Sequence, residues 1–137
     1  FKDARKSVSN SLHLNPSVAE TTDEVIDIET IDNFLRQQGV TEIDYLKIDT
    51  EGNDLDVLKG AVGSLKAQKI KFVEVEAGMN SGNKLHVPYC ELLAFLESYG
   101  FSVFGLYRQV HEGGTRIPVL RRVNVVFISS HIVDPFR

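Results

Sequence analysis

One cysteine, Cys90, stands in 137 residues. That excludes an internal disulfide framework and makes a reducing, cytoplasmic setting the expectation. No apolar run approaches the ~20 residues that a membrane-crossing helix needs. The stretch also shows no signal-peptide pattern. Positive charge is not in surplus: 15 Lys and Arg face 19 Asp and Glu, a net charge of -4. This argues against a nucleic-acid partner or an anionic membrane surface. Internal repeats and low-complexity tracts are missing, and no Gly-x-Gly occurs anywhere.

What is present is ordinary globular material, 42% apolar and 25% charged. The length suits one domain over residues 1–137, with 1–24 as an irregular polar N-terminal arm. Phe1 is not a natural start, so an upstream segment of a longer product is an open expectation. The chain is organised around Ile43 to Ala61. Tyr45, Leu46 and Ile48 have the bulk of a buried strand. The acidic cluster Asp49-Thr50-Glu51-Gly52-Asn53-Asp54 stops it, and Leu55, Leu58, Val62 and Leu65 then recur at helical spacing. Strand, acidic turn and helix is the reading. Asp49 and Glu51 are either helix-start chemistry, favoured by the dipole, or a site at a strand's carboxyl end.

Around this centre the elements alternate. Val25–Ile28 is a short strand candidate. Thr30 caps a helix with Ile31, Phe34 and Leu35 on its apolar face, and Gly39 ends it. Gly60 and Gly63 predict close approach of the next helix to a sheet. Ile70 to Ala77 reads as a strand with Val73 and Val75 on one face. Residues 78–87 form a polar loop. Pro88 opens a helix with Tyr89, Leu92, Leu93, Leu96 and Tyr99 inward, closed by Gly100. Phe101 to Tyr107 and Val123 to Ile128 are strands joined by a loop over 109–122, which predicts antiparallel pairing at the end of the chain.

Leu46-Lys47-Ile48-Asp49-Thr50-Glu51-Gly52, with Leu55 and Val57-Leu58-Lys59-Gly60-Ala61, closely resembles the central motif of the FkbM family of methyltransferases. Thr30-Ile31-Asp32-Asn33-Phe34-Leu35 upstream is similar to that family's helix start. Phe72-Val73-Glu74-Val75-Glu76 downstream is similar to its next acidic strand. Ser9-Asn10-Ser11-Leu12 resembles a Ser-rich turn ahead of the core, and reads equally as a plain polar arm. The resemblance spans residues 7 to 130 and covers the second half of the family's domain. It implies an α/β fold: a Rossmann-like class I methyltransferase half-sheet, mixed, with an antiparallel last strand and helices on both faces. It also implies S-adenosylmethionine as cofactor and a glycan or secondary-metabolite hydroxyl as acceptor. The Gly-rich turn that holds the cofactor in such folds has no counterpart here.

The same resemblance places Asp49 near the transferring methyl group. A hydroxyl nucleophile must lose its proton, so Asp49 is the expected base and the cofactor-side residue, with Glu51 orienting the acceptor. Glu76 on the adjacent strand completes a carboxylate cluster able to grip a hydroxyl or a divalent cation, and His86 lies in the nearby loop. Helix capping by the same acids carries equal weight, and no metal is expected. Lys47 and Glu74 are expected to pair within the sheet. Cys90 reads as a small buried apolar residue. His13, His111 and His131 share no ligand spacing. Arg116, Arg121 and Arg122 form a basic patch suited to a solvated hairpin or to a substrate's phosphate or carboxylate.

The leading expectation is an S-adenosylmethionine-dependent O-methyltransferase without its own cofactor-binding half in this stretch. The second is a non-catalytic half-domain that forms homo-oligomers through an exposed strand edge. The third is metal-dependent phosphoryl or glycosyl chemistry on Asp49, Glu51 and Glu76.

Overall fold

A computed structural model of the chain describes residues 27–113 and 118–133. The expectations for Val25, Ile26, Arg116 and the whole N-terminal arm, with Ser9 to Leu12 and His13, lie outside these residues. Asp27 and Ile28 are exposed and irregular, so no strand reaches them.

Helix α1 runs Ile31–Gln38, and the Thr30 hydroxyl accepts from the Asn33 N–H at 3.2 Å as its N-cap. Gly39 ends it at φ +66°. Leu35 is buried and Ile31 packs on the core, but Phe34 stays 51% exposed. Strand β1, Ile43–Lys47, leads into the acidic turn. The single helix expected after it is two: α2, Asp54–Lys59, and α3, Val62–Lys66. The break falls at Gly60-Ala61. A Cβ at Gly60 would press on Thr30, and one at Gly63 would meet the Asp32 carboxylate, so these glycines admit the start of α1 rather than the sheet.

Strand β2 spans Ile70–Gly78, helix α4 Tyr89–Glu97, strand β3 Phe101–His111 and strand β4 Leu120–Ser129. Gly100 closes α4 at φ +79°. Both last strands are longer than expected and reach into the expected 109–122 loop from its two ends. A short helix, α5, covers Ser130–Val133.

The sheet has four strands in the order β1-β2-β4-β3. β1 and β2 are parallel, while β4 is antiparallel to both of its neighbours. This is the expected mixed α/β sheet with an antiparallel last strand. Alternation sends Val73, Val75, Ala77, Val123, Val125 and Phe127 to one face, where Leu58, Leu65, Leu92 and Leu96 from the helices meet them. All are fully buried. The helices expected on both faces are found on this one among the described residues.

The other face is open among the described residues. Tyr45, Phe104 and Tyr107 are each about half exposed there, and with Phe72 they line a 650 Å³ hollow. Among the described residues β1 is an edge strand rather than a buried one: of its apolar run only Ile48 is fully covered. No helix of the described residues is long and apolar enough to cross a membrane.

Candidate functional site at the carboxyl ends of β1 and β2

The turn after β1 and the loop after β2 meet through one glycine. Gly52 adopts φ +104°, and a Cβ there would collide with the Leu85 carbonyl oxygen. Glu51 beside it is also left-handed, at φ +52°, a conformation that costs a non-glycine residue about 1–2 kcal/mol. The buried Asp54 steadies this turn by accepting the Thr50 N–H at 3.3 Å. On the loop side, Asn80 receives the Gly82 and Asn83 N–H groups and donates to the Leu120 carbonyl at 2.8 Å. Gly78 N–H donates to the Val87 carbonyl at 2.8 Å and Met79 N–H to the Arg121 carbonyl at 2.9 Å. Loop 79–87 is therefore fastened to the start of β4.

Those constraints gather Glu51, Glu76 and His86. The His86 Nε2 lies 2.7 Å from Glu76 Oε2 and 3.9 Å from Glu51 Oε2. His86 and Glu76 are buried, whereas the Glu51 side chain is 67% exposed. The close approach to Glu76 is off the ring N–H direction, so Nε2 makes no hydrogen bond. The other ring nitrogen is held. Nδ1 sits 3.1 Å from Asn83 Oδ1 and 3.0 Å from Nδ2, a partner for either tautomer. Asn83 Nδ2 also donates to the Arg121 carbonyl at 3.0 Å.

Arg122 completes the cluster by pairing with Glu76 Oε1. Sequence reasoning left Arg122 to solvent or to a substrate, because its partner is 46 residues away along the chain and is reached only through the β2–β4 register. A carboxylate and an arginine near opposite ends of adjacent strands are the sole sequence signal for it. A 310 Å³ cleft lined by Gly52, Lys84, Leu85, His86 and Glu91 opens beside the cluster.

Asp49 does not join this group. Its carboxylate takes the Lys47 ammonium at 2.9 Å, and that hydrogen bond holds it below the ordinary carboxylate range. Lys47 stands opposite Glu74 in the register but is half exposed and turned to Asp49, so the expected Lys47–Glu74 pair is not formed. Glu74 instead accepts from the Tyr45 hydroxyl and from Asn124 Nδ2, the latter at 2.7 Å. Burial pushes Glu74 up, but the two hydrogen bonds outweigh it and leave its carboxyl lowered. Its carboxylate in turn pushes the Tyr45 hydroxyl up to about 12.

Residues 2–103 match the family model described as Methyltransferase FkbM domain. The chain belongs to the FkbM methyltransferase family. No match was found among curated proteins or among solved structures. The FkbM match takes in Asp49, Glu51, Glu76 and His86 but stops before β4, which brings Arg122 and Asn124.

FkbM membership implies S-adenosylmethionine in general. At the end of β1 the Asp49 carboxyl, held low by its hydrogen bond to Lys47, is a negative charge of a sign suited to a sulfonium. The described residues include no glycine-rich turn and no cradle for the cofactor's ribose and methionine, so the whole cofactor does not fit on these residues alone.

Proposed function

We propose that this chain carries the acceptor-binding half of an S-adenosylmethionine-dependent O-methyltransferase of FkbM type. Its substrate is a hydroxyl of a glycan or secondary metabolite, and the cofactor-holding turn comes from outside these residues. The observation that carries the reading is the convergence of Glu51, Glu76 and His86 at the carboxyl ends of two adjacent parallel strands. Glu76 and His86 orient the acceptor oxygen. Glu51, exposed at the mouth, takes its proton. Asp49 is a weak base, because its lowered carboxyl binds a proton poorly at neutral pH. It serves better as fixed negative charge near the methyl donor.

The test is transfer of a labelled methyl group to sugar or polyketide hydroxyls by the natural full chain. Glu51→Gln should lower kcat by on the order of 10²–10⁴-fold, and Glu76→Gln should raise the acceptor KM. Unchanged turnover in Glu51→Gln overturns the assignment. Calorimetry with S-adenosylhomocysteine should show no useful binding to residues 1–137 alone and binding to the full chain.

A second reading, a non-catalytic half-domain that oligomerises, is favoured by one observation: the outer edge of β1 has no strand partner among the described residues. Absence of S-adenosylhomocysteine binding by the full chain would support it.

A further inference from the structure

We infer that Glu51, Glu76 and His86 form a binding site for one divalent cation of the zinc–manganese class. This deepens the acceptor-site reading, and rests on it for the cation's purpose but not for its binding. A donor atom from each residue lies within 4.8 Å of the others. One imidazole nitrogen with two carboxylate oxygens is a donor set for borderline cations, between the all-oxygen sets of magnesium and the thiolate sets of structural zinc.

The independent sign of a ligand is the state of Nε2. It belongs to a side chain only 1% exposed, faces the two carboxylates, and has no hydrogen-bond partner. A buried polar atom left so is costly. The 2.7 Å contact with Glu76 Oε2 does not have hydrogen-bond geometry. With Nδ1–H on Asn83 Oδ1, Nε2 instead presents a lone pair to the cluster, the arrangement of a histidine ligand steadied through its other nitrogen.

Glu76 is prepared in the same manner. Arg122 takes Oε1, which fixes the carboxylate and leaves Oε2 turned to His86. One guanidinium against two carboxylates leaves the cluster with a net negative charge. Ligand atoms around a tetrahedral zinc are about 3.4 Å apart for metal–ligand bonds near 2.1 Å. The separations here, 2.7 and 3.9 Å, bracket that value. Glu51 is the exposed arm at the mouth, and it marks the entry path. Three protein ligands leave a position open toward the cleft beside His86. An acceptor hydroxyl bound there would lose its proton more readily, as metal-bound water does, and would pass it to the uncoordinated oxygen of the Glu51 carboxylate.

The experiment titrates the EDTA-stripped chain with Zn²⁺ and with Co²⁺, read by calorimetry and by visible ligand-field absorption. One equivalent should bind, at micromolar Kd or tighter. Glu51→Gln, an exposed change that circular dichroism should find folded, should weaken binding by at least on the order of 10–100-fold. His86→Gln should abolish the Co²⁺ bands. Absence of one-equivalent binding overturns the inference. So does binding that survives both substitutions, which would place the cation on His13, His111 or His131. Methyl transfer by the full chain that persists with no metal bound removes the cation's part in the reaction and leaves its binding to the titration. Stoichiometric binding in a full chain that transfers no methyl group keeps the cation site and removes the acceptor reading.

Discussion

Glu51 and Gly52 are consecutive residues in the left-handed region, and they differ in what holds them there. Gly52 has no alternative, since any Cβ meets the Leu85 carbonyl. Gly52→Ala should therefore lower stability by at least about 2–3 kcal/mol in urea unfolding and detach loop 79–87 from the turn. Glu51 bears its strain with a side chain that the fold does not need. Glu51→Gly should leave stability unchanged or raise it by up to about 1 kcal/mol, because glycine relieves the left-handed strain at some entropic cost. Cation binding should be lost in the same variant. A drop in stability would mean that Glu51 is structural. Lys47→Met tests the neighbouring pair. The Asp49 carboxyl should climb back toward its ordinary 3.8 in an NMR titration. Stability should move by less than about 1 kcal/mol, as for other exposed ion pairs.

The elements show how a residue in one helix starts another. Ala61 cannot cap α3, and Asp32, in the first turn of α1, does it from across the chain. Its carboxylate accepts the Gly63 N–H at 2.6 Å, the Ser64 N–H at 2.9 Å and the Ser64 hydroxyl at 2.5 Å. Partial burial pushes Asp32 up, but Ser64 and the two backbone donors win and leave it lowered. A carboxyl whose folded value is depressed stabilises above its unfolded value and loses that contribution as pH falls through the folded one. Asp32→Ala should therefore cost about 1–2 kcal/mol at neutral pH, with the difference from the parent vanishing below pH 3.8. A deficit that persists in acid would assign the effect to packing. The helix start at Thr30, the stops at Gly39 and Gly100 and the order of the strands were legible in the sequence, because caps and periodicity are local. The Asp32 cap, the break at Gly60 and the Arg122–Glu76 pair were not, since each depends on residues brought together by the sheet. Cys90 was misread for a related reason. It falls on the stripe with Ala94 and Glu97, which faces solvent, not with Leu92 and Leu96.

At the scale of the molecule, the described residues finish the sheet on one face and on one side only. The helices cover Val73, Val75, Val123, Val125 and Phe127, while Tyr45, Phe72, Phe104 and Tyr107 form an aromatic face with Phe72 and Phe104 edge-on at 5.5 Å. β1 borders that face, and its N–H and C=O groups on the side away from β2 have no strand partner among the described residues. Such an edge templates pairing with another strand unless charge or a bulge blunts it. Asp44 and Lys47 put two charges on β1, but Lys71 pairs with the first and Asp49 with the second, so they give little protection. The edge should be paired in solution, by a second copy or by residues 1–26 of the same chain. Hydrogen exchange at several protein concentrations separates the two. Protection of the outward amides of β1 that grows with concentration, with a dimer mass in light scattering, identifies a second copy. Protection independent of concentration in a monomer identifies the chain's own segment. Rapid exchange at every concentration would show that a bare edge is tolerated here, and would remove the support that this edge lends to the oligomeric reading.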